Sequence, residues 1–108
     1  MTKRLEQLMN FLDKSPNEPF ILFAIAKEYE GMQDSDKALK YYKLLSVDHP
    51  DYVGTYYHLA KLLEQRQALK EAFNTYKKGI EIAQKIGDKH SLSELATAKM
   101  ELGDEDDF

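Results

Sequence analysis

At 108 residues the chain has the length of one domain, and 43% hydrophobic with 31% charged residues is the balance of a soluble globular protein. The absence of cysteine removes disulfides, thiolate metal sites and a cysteine nucleophile. A net charge of -4 argues against a phosphate backbone as the main ligand, and no apolar run approaches a membrane span. The expectation is therefore a cytoplasmic protein with no nucleic-acid and no membrane partner.

Six helices are predicted in chain order, over 2–14, 18–31, 35–47, 52–65, 69–85 and 91–102. The first carries Leu5, Leu8, Met9 and Leu12 at i, i+3, i+4 and i+7, a face that either packs on the next helices as an N-cap or self-associates. "SPNEP" at 15–19 ends it. The second places Leu22, Ile25, Ala26 and Tyr29 on one stripe, and "GMQDSD" at 31–36 turns the chain into a third helix bearing Ala38, Tyr42 and Leu45. After "DHPD" at 48–51 the fourth repeats the stripe as Tyr56, Leu59, Ala60 and Leu63, and "QRQA" at 65–68 is a weaker turn before the fifth, with Ala72, Tyr76 and Gly79. The sixth opens on a capping-box pattern, Ser91 with Glu94, and carries Leu92, Leu95 and Ala96. Residues 103–108, "GDEDDF", read as a disordered, solvated acidic tail, the alternative being docking in a groove of a neighbouring molecule. No β-branched alternation appears, so the fold class is all-α.

The chain also repeats itself at a period of 34 residues. Ala26/Ala60, Lys27/Lys61, Glu30/Glu64, Gln33/Gln67, Ala38/Ala72, Tyr42/Tyr76 and Lys43/Lys77 are identical, and Phe23/Tyr57, Ile25/Leu59 and Leu39/Phe73 are similar. One period earlier, Leu5, Leu8, Phe11 and Pro16 align with Leu39, Tyr42, Leu45 and Pro50.

In period and residue types this resembles the tetratricopeptide repeat, a helix-turn-helix unit with a large residue, Leu, a small residue and Tyr on its first helix and Ala, an aromatic, a small residue and Pro on and after its second. Leu22, Ile25, Ala26, Tyr29, Ala38, Tyr42, Leu45 and Pro50 fill one unit; Tyr56, Leu59, Ala60, Leu63, Ala72, Tyr76 and Gly79 fill the next, with Gln84 where Pro belongs. The resemblance implies a right-handed α-solenoid of antiparallel helix pairs, as a single domain over 1–102: half repeat 1–16, repeats 17–50 and 51–84, and capping helix 91–102.

It also implies a concave groove lined by first-helices, to which this chain would contribute Phe20, Phe23, Lys27 and Glu30, then Tyr57, His58, Lys61 and Glu64. Phe20, Phe23 and Tyr57 would be apolar anchors, and Lys27, Lys61 and His58 contacts to polar or anionic groups. Such a groove suits a protein or peptide partner with an acidic group or a C-terminal carboxylate. Lys27 and Lys61 equally suit plain ion pairs with Glu30 and Glu64 three residues on. The lysine and asparagine clamp of the family's chaperone-binding members is absent, since Phe23, Lys27 and His58 replace its first residues and Ser93, Glu94 and Thr97 its last.

Nothing in the sequence carries catalysis. There is no phosphate loop, metal-binding His pair or calcium loop, His49, His58 and His90 are scattered, and Glu28 and Glu30 point to different helix faces. The expected function is a non-catalytic interaction adaptor without cofactor or metal. The alternative is a homo-oligomerisation module built on the same apolar surface, so that the protein is a monomer or a weak homodimer.

Overall fold

The first helix, α1 (Lys3–Lys14), starts at Thr2, whose hydroxyl accepts from the Leu5 amide at 3.0 Å, in a computed structural model that describes all 108 residues. Five more follow: α2 (Pro19–Gly31), α3 (Ser35–Asp48), α4 (Gly54–Gln65), α5 (Leu69–Ile86) and α6 (Lys89–Leu102), then a 3-10 turn at Glu105–Asp107. All six predicted helices are present, and the chain is all-α. Pro19 opens α2, where its missing N–H costs nothing, and Asp34 caps α3 by accepting from the Lys37 amide. Helix α6 starts earlier than predicted, at Lys89 rather than Ser91, with Asp88 as its N-cap. Gly87 at φ 77° ends α5 in a left-handed cap, so the residue after it becomes the N-cap. The Asp88 carboxylate accepts from the Ser91 amide at 3.0 Å and from the Ser91 hydroxyl at 2.8 Å, and the expected Ser91–Glu94 box does not form.

The turns from α2 to α3 and from α4 to α5 repeat one device. Gln33 and Gln67 adopt φ of 60° and 62°, and the following amides, Asp34 and Ala68, donate back to Tyr29 O and Leu63 O. A side chain in this conformation is strained where glycine is not, as Gly87 illustrates at the end of α5. Gln33→Gly and Gln67→Gly are each expected to raise stability by about 0.5–1 kcal/mol in urea melts, net of glycine's greater chain entropy. An unchanged midpoint would mean that the glutamines make compensating contacts.

The helices cluster into two compact units, Met1–His49 and Pro50–Phe108. In the first, α1 packs on α2 and α2 on α3. Leu5 and Leu8 are buried with Ile25, Ala26, Ala38 and Tyr42, while Met9 and Leu12 on the same α1 face stay half-buried. The Thr2 hydroxyl donates to Glu28 Oε1 at 2.9 Å, and Arg4 Nε lies 3.6 Å from the same carboxylate, tying the start of α1 to α2.

In the second unit α5 packs against both α4 and α6, and α4 also touches α6. Tyr56, Ala60, Tyr76, Ile82, Ala83, Leu95 and Ala98 form its core. Ala98, not the expected Ala96, is the buried small residue of α6; Ala96 is half-buried. The expected Leu92 and Leu95 do turn to this core, and Ala98 and Leu102 continue their line along α6. Residues 103–108, expected to be disordered, instead fold against this unit, with Phe108 stacked on Phe73 at 4.9 Å between ring centroids.

Candidate functional site

Tyr57 and Lys61 sit one helical turn apart on α4, off the stripe of Tyr56, Leu59, Ala60 and Leu63 that faces the core. Ser93, Glu94, Thr97, Ala98 and Glu101 follow a similar line on α6. Together with His90 these residues line an open groove of about 340 Å³ within the second unit. The Lys61 ammonium rests over the Tyr57 ring at 5.6 Å and lies 3.7 Å from Glu64 Oε2. That carboxylate also accepts the Tyr76 hydroxyl proton. Buried Tyr76 therefore fixes Glu64, Glu64 orients Lys61, and Lys61 covers one face of Tyr57. Across the groove His90 Nε2 stands 3.9 Å from Glu94 Oε2, an ion pair only when the imidazole is protonated.

The lining holds one lysine against two glutamates, so its field is mixed rather than basic. What it can do chemically is bind: a half-exposed aromatic ring, hydroxyls on Ser93 and Thr97, and charges of both signs suit an extended peptide with an apolar side chain. No three His, Cys, Asp or Glu side chains are grouped so as to hold a metal ion. No helix is long and apolar enough to cross a membrane.

Of the eight residues expected to form the groove, Tyr57 and Lys61 line this one. His58 is half-buried and meets Tyr57 edge-on, with centroids 5.7 Å apart, outside the lining. Glu64 works as the acceptor for Tyr76 and partner of Lys61. In the first unit Glu30 has the equivalent post, accepting from the Tyr42 hydroxyl at 2.5 Å. Phe23 packs edge-on against the same Tyr42 ring at 6.1 Å, so it is partly a core residue rather than a surplus one. Phe20 is 61% exposed and Lys27 is exposed. Both glutamates are thus structural acceptors first, a role that the sequence hides because the tyrosine partner lies twelve residues away on another helix. The α6 side of the groove was visible in the sequence only as Ser93, Glu94 and Thr97 standing where a basic clamp would be.

The chain is similar to a tetratricopeptide repeat domain protein from Salinibacter ruber, solved in solution, at 41% identity over 81% of this chain and 88% of that one, with a TM-score of 0.78. A crystal structure of a tetratricopeptide repeat domain protein from the same organism matches at 41% identity over 79% of this chain and 96% of that chain, with a TM-score of 0.76. The type III secretion translocator chaperone SycD of Yersinia enterocolitica shares the fold, with a TM-score of 0.80 at 15% identity over 91% of this chain and 68% of its own. No family model matches the chain.

Proposed function

We propose, because this chain belongs to the tetratricopeptide repeat family, that it is a non-catalytic adaptor that binds an extended segment of a protein partner. The neighbours support a protein-interaction role in general. The observation that carries the finer reading is Tyr57, which stays half-exposed in a polar-rimmed groove although Tyr56, Leu59, Ala60 and Leu63 already provide the core face of α4. In this reading Tyr57 takes an apolar side chain and Lys61 an acidic group or a carboxylate. Glu94 and Glu101 favour a basic residue on the far side and select against a wholly acidic peptide. His58 of α4 is a further contact proposed in this second unit, with Glu64 acting through Tyr76, while Phe20, Phe23 and Lys27 of α2, with Glu30 acting through Tyr42, are the contacts proposed for the first unit by itself.

Peptides selected by phage display against the whole chain, then titrated while amide resonances are followed, provide the test. The largest shifts are expected at Tyr57, Lys61 and Thr97, with Tyr57→Ala weakening binding at least tenfold, or about 1.4 kcal/mol. Shifts that avoid α4 and α6, or a Tyr57→Ala variant with unchanged affinity, would refute the assignment. Light scattering addresses self-assembly: a mass of 12.5 kDa at all concentrations is the adaptor's result, and a stable dimer lost with the same apolar residues would favour the homo-oligomer.

A further inference from the structure

Helix α6 ends at Gly103, with φ 153° and ψ -167°, a conformation that side chains rarely adopt. A Cβ there would also lie 2.8 Å from Asp107 Oδ2 and 3.0 Å from Phe108 Cε2. Glycine is what lets the chain fold back. The Asp104 amide donates to Asp107 Oδ2 at 2.8 Å and the Asp107 amide to Asp104 O at 3.0 Å, closing a tight turn. The turn presents two side chains to a face made by α5 and α6. The Phe108 ring lies on Phe73 at 28° between planes, and Glu105 Oε1 meets Lys77 Nζ at 2.6 Å. Lys99 Nζ sits 4.9 Å and Lys77 Nζ 5.9 Å from the centre of the Phe73 ring. Beneath this cover Phe73 is 1% exposed. The nearby lysines hold the Glu105 carboxyl below its ordinary range.

We propose that this α5–α6 face is a second peptide-binding site, specific for an acidic segment with an aromatic side chain three residues after a glutamate, and that residues 104–108 are its resident occupant. The partner is a protein segment of that same chemistry, which displaces the tail. Phe73 is the aromatic floor, and Lys77 and Lys99 supply the positive charge around it. Lys99 is not among the residues lining the α4–α6 groove, so the two sites are separate. The resident segment is held by one ring stack and one ion pair open to solvent, an arrangement that can be displaced. Tethering gives it an effective concentration on the order of millimolar, so a free ligand binds weakly until the tail is released.

The probe is a fluorescent peptide copying residues 103–108 with both ends blocked, titrated into the full chain and into a Glu105→Ala/Phe108→Ala double variant. The double variant is expected to bind it at least tenfold more tightly than the unaltered chain, and Lys77→Glu in that background to abolish binding. Equal affinity for both chains, no binding to either, or binding indifferent to Lys77→Glu would each overturn the proposal. If circular dichroism shows the double variant unfolded, Gly103→Val replaces it, since it dislodges the tail while keeping both side chains. Tail exchange between two copies would appear as a concentration-dependent dimer of the unaltered chain that Lys77→Glu dissolves, assigning the face to a second copy and refuting the partner.

Discussion

Gly79→Val is expected to destabilise the second unit by about 3 kcal/mol or more, and Gly79→Ala by about 1–3 kcal/mol, in chemical denaturation followed by circular dichroism. Local propensity argues the opposite sign for alanine, since a mid-helix glycine is about 1 kcal/mol worse than alanine. Packing decides it. A Cβ on residue 79 would stand 2.6 Å from Tyr56 Cβ and 3.0 Å from Leu95 Cδ1. The Tyr56 Cβ cannot retreat, because it is one bond from the α4 backbone and its ring is held at the far end by the hydroxyl donating to Pro50 O at 2.5 Å. Valine adds two methyls to the same collision. A Gly79→Ala protein more stable than the original would mean that α4 and α5 cross less closely than described.

Tyr76→Ala should cost about 3–5 kcal/mol, the penalty for emptying a fully buried aromatic site. Tyr76→Phe separates the hydroxyl from the ring: it keeps the packing and removes the bond to Glu64, for a loss of about 1.5–3 kcal/mol because the acceptor is charged. Burial, then the hydrogen bond and negative charge of Glu64, push the Tyr76 hydroxyl well above its ordinary value of 10.0, and Tyr42 with Glu30 behaves alike. Both phenols are held neutral in the folded chain more firmly than in the unfolded one. Their contribution is therefore complete below pH 10 and lost as the pH rises above it. Urea midpoints measured across that range should fall steeply for the original chain and less steeply for Tyr42→Phe/Tyr76→Phe. Equal slopes would show that neither phenol is coupled to folding.

The tyrosines mark the line between what was legible and what was not. Their places in the repeat gave them away as packing residues, and both are buried. Their acceptors are not legible in the sequence, because Glu30 and Glu64 stand three residues after Lys27 and Lys61, and a helix-surface ion pair is the pairing that a one-dimensional spacing suggests. The Lys61–Glu64 pair does form, but as the outer link of a chain that begins at Tyr76. The candidate site was half legible in the same way. The repeat points to Tyr57 and Lys61 on α4, while of the α6 wall it offers only Ser93, Glu94 and Thr97, as residues standing where a basic clamp would be. The four acidic residues of the tail suggest a solvated end, whereas its contacts depend on Lys77, 28 positions before Glu105, and on Phe73, both in α5.

By itself the sequence determined the six helices, the 34-residue repeat, the inward stripes and the family. These follow from periodicity, caps and breakers, which act within a few residues along the chain. Only the tertiary structure decided that Gly79 is intolerant of a methyl, that Ala98 rather than Ala96 turns inward, that Glu64 answers to Tyr76 and that Phe108 closes over Phe73. Each of these depends on how closely and at what rotation two helices cross, and side-chain volume and hydrogen-bond reach at that crossing are not properties of either helix alone.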